Sequence, residues 1–216
     1  MVVTWYGQSC FKIQSSDFAI AIDPYSKEIG LTPPRFQTAI TLVTHNHFDH
    51  NNALSLAGAP FVITGAGEYE VRGVYIQGIP TYHDSSEGKE RGMNTVYTID
   101  IEGVRVAHLG DFGEPELRDE TLEKLGTVNI LMIPVGGTYT IDAKEAARIV
   151  KQVEPRFVVP MHYKIPGLRA NLASVDQFLK EMGSSKIQPQ DKLTVKKKDF
   201  EGEEGKTEVV LLQTNH

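Results

Sequence analysis

The sequence lacks the cysteines that a disulfide scaffold or a cysteine-rich zinc site requires. Cys10 is the only cysteine among 216 residues, so neither an intrachain disulfide nor a Cys-x-x-Cys redox pair can form. No stretch approaches the ~18 consecutive apolar residues of a membrane span, and the first ten residues contain no basic segment followed by an apolar one. We therefore predict a cytoplasmic protein without a membrane partner.

An excess of basic residues is also absent. Twenty-two Lys and Arg stand against 28 Asp and Glu, which gives a net charge of −6 and a field that repels polyanions. This balance argues against nucleic acid as a partner and favours a small-molecule substrate. The sequence leaves self-association into a homo-oligomer open.

Short apolar segments predict a mixture of strands and helices. Period-two alternation and turn residues predict strands at 2–6, 10–14, 18–22, 39–43, 61–64, 69–72, 74–77, 94–101, 104–109, 130–135 and 157–160. Helices are predicted at 53–57, 115–125, 142–153 and 172–182, the third with Asp142 as its N-cap. Segments 193–197 and 208–212 are predicted to pair with each other as strands. We expect one domain over residues 1–216, built from two sheets flanked by helices.

Three of the seven histidines and one aspartate lie within six residues, directly after the predicted strand 39–43. In an extended segment positions i and i+2 point the same way, so His45 and His47 can hold one metal. The chain then turns, and Asp49 and His50 can face a neighbouring position. Imidazole and carboxylate ligands favour Zn²⁺, with Mn²⁺ and Fe²⁺ as alternatives. The competing interpretation is a polar loop whose histidines bond only to backbone groups.

The segment THNHFDHNN resembles the HxHxDH signature of the metallo-β-lactamase-fold superfamily of metal-dependent hydrolases. Further landmarks of that family match in order, namely Asp23 in AIAIDPY, His83 in IPTYHD, Gly110-Asp111 in VAHLGD and His162 in VVPMHY. The strings GEYEV, MNTVYTID and PVGGTYTIDA are similar to an uncharacterised prokaryotic branch of zinc-dependent hydrolases, related to the ascorbate-6-phosphate lactonase-like proteins. The resemblance covers essentially the whole chain. It implies an α/β (α+β) fold, a four-layered αββα sandwich with metals at one edge between the sheets.

The same resemblance implies a ligand set for two zinc ions per chain. One ion would be held by His45, His47 and His83, the other by Asp49, His50 and His162, with Asp111 bridging both. Two metals ~3.5–4 Å apart activate a water and neutralise a growing oxyanion, so hydrolysis is the expected chemistry. Asp49 and Asp111 are the expected catalytic residues, and Asp23 is expected to fix the tautomer of an imidazole.

Several roles stay open on the residues alone. His108 is either an extra metal ligand or a residue of the strand interior, and we favour the second. His83, Asp111 and His162 each have an alternative interpretation as a loop, turn or strand-end residue. Segments 84–92 and 136–138 are predicted to form the substrate rim. Tyr163 and Lys164 are candidates for contact with an anionic substrate group.

Three functions are compatible with these residues. The first is hydrolysis of a small-molecule lactone, ester or phosphoester. A nuclease or phosphodiesterase is second, because the family members with that activity usually carry a large inserted domain or a basic surface, neither of which fits this chain. The third is a metal-binding sensor or structural protein with little catalysis.

Overall fold

The computed structural model describes residues 1–201 and 205–215. Its strands, in chain order, are β1 (Val2–Gly7), β2 (Cys10–Gln14), β3 (Ala19–Ile22), β4 (Ile40–Val43), β5 (Phe61–Thr64), β6 (Gly67–Val71), β7 (Val74–Tyr82), β8 (Met93–Ile101), β9 (Val104–His108), β10 (Ile130–Pro134), β11 (Phe157–Met161), β12 (Leu193–Thr194) and β13 (Glu208–Val209). The α-helices are α1 (Asp119–Leu125), α2 (Ala143–Val153) and α3 (Asp176–Glu181). Short 3₁₀ turns occur at Lys27–Ile29, Ala53–Ser55 and Lys197–Phe200.

The strands form two sheets. The six-stranded sheet has the order β12-β1-β2-β3-β4-β5, and the seven-stranded sheet has the order β13-β11-β10-β9-β8-β7-β6. Pairing is antiparallel from β12 to β3 and parallel from β3 to β5. In the second sheet β13, β11, β10 and β9 are parallel and the remaining pairs antiparallel. The predicted α/β architecture of two sheets with flanking helices is confirmed.

The core lies between the two sheets. Alternation along β1 buries Val3 and Trp5, whereas Tyr6 is half-buried on the opposite face. Strand β10 is buried at every residue, because α2 covers its outer face. On the outer face of the six-stranded sheet, the ring of Phe36 packs 4.9 Å from that of Tyr6 and 5.3 Å from the ammonium of Lys12. A loop residue thus covers part of this outer face.

Helix α2 begins as the sequence predicts. The Asp142 side chain accepts hydrogen bonds from the backbone of Lys144 and Glu145, and the Glu145 side chain accepts one from the backbone of Asp142. This capping box satisfies N–H groups that a helix start leaves without partners. Among the described residues no helix is long and apolar enough to cross a membrane.

Two helices are shorter than predicted because tertiary hydrogen bonds compete for their first turns. The 115–125 helix begins at Asp119, since the Leu117 backbone donates to the Gln152 side chain at 3.1 Å. The 172–182 helix begins at Asp176. The backbone of Ala173 donates instead to Gly136 at 2.9 Å and accepts from Lys164 at 2.9 Å.

The predicted pairing of the last two strands is wrong. Strand β12 pairs with β1 in the six-stranded sheet, and β13 pairs with β11 in the seven-stranded sheet. Each segment therefore extends the edge of a different sheet. Each segment forms backbone hydrogen bonds with a longer strand at the edge of a larger sheet. A two-stranded ribbon on its own would be only marginally stable.

Candidate metal centre

The candidate residues lie where strands of both sheets end at one edge. Strand β4 leads into Thr44 and His45, β7 into His83, β9 into Asp111 after two residues, and β11 directly into His162. Strand β3 ends just before Asp23. Asp23 and His162 have φ of 46° and 51°, a left-handed conformation that is costly for residues other than glycine. Such strain is typical of functional sites and here turns both side chains at the sheet edge.

The structure brings together all seven residues that the sequence predicts as ligands. They form two groups, His45, His47 and His83 in one, and Asp49, His50, Asp111 and His162 in the other, and within each group the possible ligand atoms lie within 4.8 Å of one another. The Asp111 Oδ2 atom lies 3.3 Å from His50 Nε2, 3.4 Å from His83 Nε2 and 3.2 Å from His162 Nε2. One carboxylate oxygen thus faces imidazoles of both groups.

The aspartate at the end of β3 determines which ring nitrogens are free. Asp23 accepts from the Thr44 backbone N–H at 2.8 Å, from the Thr44 hydroxyl at 2.7 Å and from His50 Nδ1 at 2.8 Å. Because the Thr44 hydroxyl proton goes to Asp23, its oxygen is left to accept from His45 Nδ1 at 3.0 Å. In the neutral form that binds a metal, both imidazoles then carry their proton on Nδ1 and direct the Nε2 lone pair into the site.

These free nitrogens provide the test of whether a metal fits. Within the described residues, the Nε2 atoms of His45 and His50 are buried without a hydrogen-bond partner. His50 Nε2 faces the carboxylate oxygens of Asp49 at 3.4 Å and Asp111 at 3.3 Å. Two carboxylates beside one imidazole nitrogen need a positive charge between them, which a proton on His50 supplies in the metal-free protein and a metal ion would supply in its place. The donor set of imidazoles and carboxylates is one that Zn²⁺, Mn²⁺ or Fe²⁺ prefers.

Burial and the close spacing of the candidate ligands shift their pKa values in the metal-free protein. Burial, and then the charge of His50, lower the pKa of His45 to about 2. Burial opposes the charged form of His50, but the carboxylates of Asp111, Asp23 and Asp49 outweigh it and raise the pKa of His50 well above its usual value. Burial likewise raises the pKa of Asp111, yet His162 and His50 hold it well below the usual range. His50 is therefore protonated in the metal-free protein, and its positive charge faces the carboxylates of Asp23, Asp49 and Asp111.

A cavity of about 630 Å³ opens onto both groups of ligands. Its volume suits a small molecule, and ligand pockets of this size usually combine apolar walls with a few polar groups. The residues around it are Gln8, Glu28, Ile29, Asn46, His47, Phe48, Asp49, His83, Arg91, Asp111, Tyr139, His162, Leu168, Arg169 and Ala170.

Residues 2–162 match the family model described as the Beta-lactamase superfamily domain. The chain belongs to the metallo-β-lactamase superfamily. Within it, the chain is 34% identical over 191 residues to a UPF0173 metal-dependent hydrolase of Thermococcus onnurineus, covering 74% of this chain and 84% of the relative. The resemblance seen in the sequence is confirmed.

Two solved structures are similar in fold to this chain. A crystal structure from Thermotoga maritima, provisionally described as a Zn-dependent hydrolase of the metallo-β-lactamase superfamily, has a TM-score of 0.75 at 32% identity and covers 98% of this chain and 99% of that chain. Igni18, a metallo hydrolase of Ignicoccus hospitalis, has a TM-score of 0.63 at 24% identity over 90% of this chain and 99% of its own. The second likeness concerns the fold alone.

His108 is not among the converging groups of this metallo-β-lactamase-fold chain. The backbone N–H of Gly110 donates to His108 Nδ1 at 3.1 Å, so Nε2 carries the proton and donates to the Ser9 carbonyl at 2.9 Å. Its ring also packs edge-on against Phe11. Both ring nitrogens are used, which agrees with the favoured interpretation of His108 as a residue of the strand interior.

The two segments predicted to form the substrate rim differ in whether they reach the cavity. Segment 84–92 reaches the cavity through Arg91, whereas the glycines at 136 and 137 do not line it and Tyr139 does. Tyr163 is buried with its ring 5.0 Å from that of Trp5, and the Lys164 ammonium donates to the carbonyls of Leu168 and Ala170. Neither of these two side chains lines the cavity, so the structure adds no support for their contact with an anionic substrate group.

Gln8 is a site residue that the sequence reasoning missed. It lies in the tight turn between β1 and β2 with φ of 50°, and its Nε2 donates to Asp49 Oδ2 at 3.0 Å. The residue is 1% exposed, and among the described residues its Oε1 has no hydrogen-bond partner. Only the Gly7-Gln8-Ser9 turn signal was available in the sequence, and a turn signal does not show which loop the side chain meets.

Proposed function

We propose that this chain is a hydrolase that uses two zinc ions to cleave a lactone, ester or phosphoester bond in a small molecule. The proposed ligands are His45, His47 and His83 for one ion and Asp49, His50 and His162 for the other, with Asp111 shared. When bound, the ions lower the pKa of a water and neutralise the charge that grows on the attacked carbonyl or phosphoryl oxygen. We also propose that residues 1–216 act as one domain.

The observation that carries the proposal is the position of the Asp111 carboxylate. Its Oδ2 lies 3.2 to 3.4 Å from imidazole nitrogens of both ligand groups. Two divalent ions at close range repel each other strongly, and a shared anionic ligand offsets that repulsion. A single-metal site would not need a carboxylate between two sets of imidazoles.

The remaining polar residues have roles in orientation and proton handling. Asp49 is half-buried at the cavity, where its carboxylate can accept a hydrogen bond from the attacking water and so orient it. Gln8 donates to Oδ2 of that carboxylate and so restricts its rotation. Asp23 keeps the proton of His50 on Nδ1, which leaves Nε2 free. A cavity of about 630 Å³ favours a small substrate over a polymer.

The test is metal analysis together with a substrate panel. Protein purified without an affinity tag and reconstituted with Zn²⁺, Mn²⁺ or Fe²⁺ is expected to bind two equivalents and to hydrolyse at least one member of a lactone, phosphodiester and thioester panel. Less than about a tenth of an equivalent of every metal would sink the proposal, because these ligands should bind metal once the chain is folded. Two bound metals without turnover would favour the sensor function.

The Asp111→Asn variant sharpens this test. We expect it to retain one metal and to lose hydrolysis, because a neutral amide bridges two cations poorly. Asp100→Asn is the control, since the Asp100 carboxylate pairs with Arg105 at 2.7 Å and does not line the cavity. Two tightly bound metals and undiminished turnover in Asp111→Asn would show that Asp111 is a turn residue.

A further inference from the structure

We propose that Arg91 and Arg169 form an anion-binding subsite in the cavity beside the candidate metal centre. The substrate would then carry a carboxylate or phosphate group separate from the bond that is cleaved, joined to it by an apolar segment. This inference rests on the proposed function, because it names the substrate class of the same site.

The two guanidinium groups are not used in ion pairs. In the described part of the chain, arginine ion pairs involve Arg105, Arg118, Arg148 and Arg156 but neither Arg91 nor Arg169. Both free arginines line the cavity. The chain has a net charge of −6, so attraction for an anionic ligand must come from a local group of cations such as these two arginines.

Arg91 is held in place by the loop that carries it. The Asp84 carboxylate accepts from the backbone N–H groups of Ser86, Gly88, Glu90 and Arg91 at 2.8 to 3.1 Å, which organises the segment between β7 and β8. The Arg91 guanidinium lies 4.8 Å from the centroid of the Tyr139 ring, which also lines the cavity. Contact with an aromatic face leaves the N–H edge of a guanidinium available for a carboxylate or phosphate.

Arg169 comes from the segment after β11 and is anchored by backbone groups. The backbone N–H of Arg169 donates to the Ile29 carbonyl at 2.9 Å, and the side-chain Nη1 donates to the Glu28 carbonyl at 3.3 Å. The other N–H groups of the guanidinium have no such contact within the described residues. Glu28 also lines the cavity, so outside the candidate metal ligands the lining contains two arginines and one carboxylate.

Apolar side chains complete the wall. Phe48, which lies inside the histidine segment, is 54% exposed, and Ile29, Leu168 and Ala170 line the same cavity. An exposed aromatic ring next to a metal centre is costly in water but provides contact area for an apolar group of a ligand. The wall chemistry therefore fits an amphipathic anion rather than a compact polar sugar.

The test uses two esters that differ in charge but not in length. The metal-loaded full chain is assayed with para-nitrophenyl hydrogen terephthalate, whose carboxylate is held para to the ester on a rigid ring and cannot attack it, and with para-nitrophenyl 4-methylbenzoate, which has a methyl group at that position. We expect kcat/KM to be at least about 10-fold higher for the terephthalate, and we expect this ratio to fall about 10-fold in Arg91→Gln or Arg169→Gln. Arg91→Lys keeps the positive charge and should retain part of the preference for the charged ester. Arg148→Gln removes an exposed arginine of α2 away from the cavity and should leave the ratio unchanged.

Binding without turnover separates this inference from the proposed function. Calorimetry compares phenylbutyrate with the neutral phenylbutanamide on the metal-loaded chain and on both Gln variants. Tighter binding of phenylbutyrate that disappears in the variants supports the subsite even if neither these esters nor any member of the lactone, phosphodiester and thioester panel is hydrolysed, in which case the proposed function fails and the subsite stands. Equal binding of acid and amide by the unaltered chain, or an ester ratio that both Gln variants retain, overturns the subsite.

Discussion

At the scale of single residues, the site depends on which ring nitrogen of each histidine is free. Asp23 and Thr44 together occupy the Nδ1 atoms of His50 and His45, and both Nε2 atoms point inward. The sequence resemblance could predict Asp23 as a partner of an imidazole. It could not predict the relay through Thr44, because that relay depends on the side-by-side pairing of β3 and β4.

The Asp23→Asn variant tests this relay. An amide nitrogen would face a Thr44 or His50 donor, so one of the three hydrogen bonds to Asp23 must break. We expect metal affinity to fall roughly 10–100-fold, the usual cost of losing a group that orients a ligand. Competition with a chelator measures it. Thr41→Val is the control, because the hydroxyl of that buried residue in β4 has no hydrogen-bond partner among the described residues and its loss should leave affinity unchanged.

His83 and His108 should behave differently when replaced by alanine. His83 Nε2 faces the Asp111 carboxylate at 3.4 Å, so His83→Ala should lose stoichiometric binding of one metal. Both nitrogens of His108 are engaged in buried hydrogen bonds, so His108→Ala should bind metal fully but lose about 2–3 kcal/mol of unfolding free energy. Metal titration and urea denaturation of both variants decide the matter. If only His108→Ala loses metal, the third ligand is misassigned.

At the scale of elements, periodicity predicted strands better than helices. Strands β2 and β5 have the predicted bounds, because alternating or short apolar segments flanked by turn residues have few other solutions. The first turns predicted for α1 and α3 form other hydrogen bonds, to Gln152 and Gly136, that no local pattern shows. The partners of β12 and β13 were wrong for the same reason, since strand propensity does not specify a partner.

The candidate site likewise combines residues that local sequence patterns predict with residues that only the folded chain brings together. The cluster from His45 to His50 was predictable because its residue types and spacing carry the chemistry, whereas the resemblance to the family was needed to predict His83, Asp111 and His162. Gln8, Arg91, Tyr139 and Arg169 belong to separate loops, and their common cavity exists only after the two sheets have packed. Residues of ordinary loop composition carry no signal of this kind in the sequence.

At the scale of the whole molecule, the candidate ligands connect the two sheets. His45 to His50 follow β4 of the six-stranded sheet, whereas His83, Asp111 and His162 follow strands of the seven-stranded sheet. An unfolded chain cannot hold these groups together, since they are spread over residues 45–162 of the sequence. A metal that binds them therefore binds the folded state in preference to the unfolded state, and this preference must appear as stability.

Metal removal should consequently lower the melting temperature. If free Zn²⁺ is held at about 1,000 times Kd, one bound ion adds about 4 kcal/mol of unfolding free energy. For a chain of this size about 1 kcal/mol corresponds to roughly 2–4 °C, so each bound zinc ion should raise the melting temperature by roughly 10 °C relative to the chelated protein. Calorimetric scans at matched rates measure the difference, and the double variant His45→Ala/Asp111→Asn, which lacks a ligand from each group, is the control and should show a much smaller shift. Equal melting temperatures for the loaded and chelated protein would mean that metal does not bridge the two sheets.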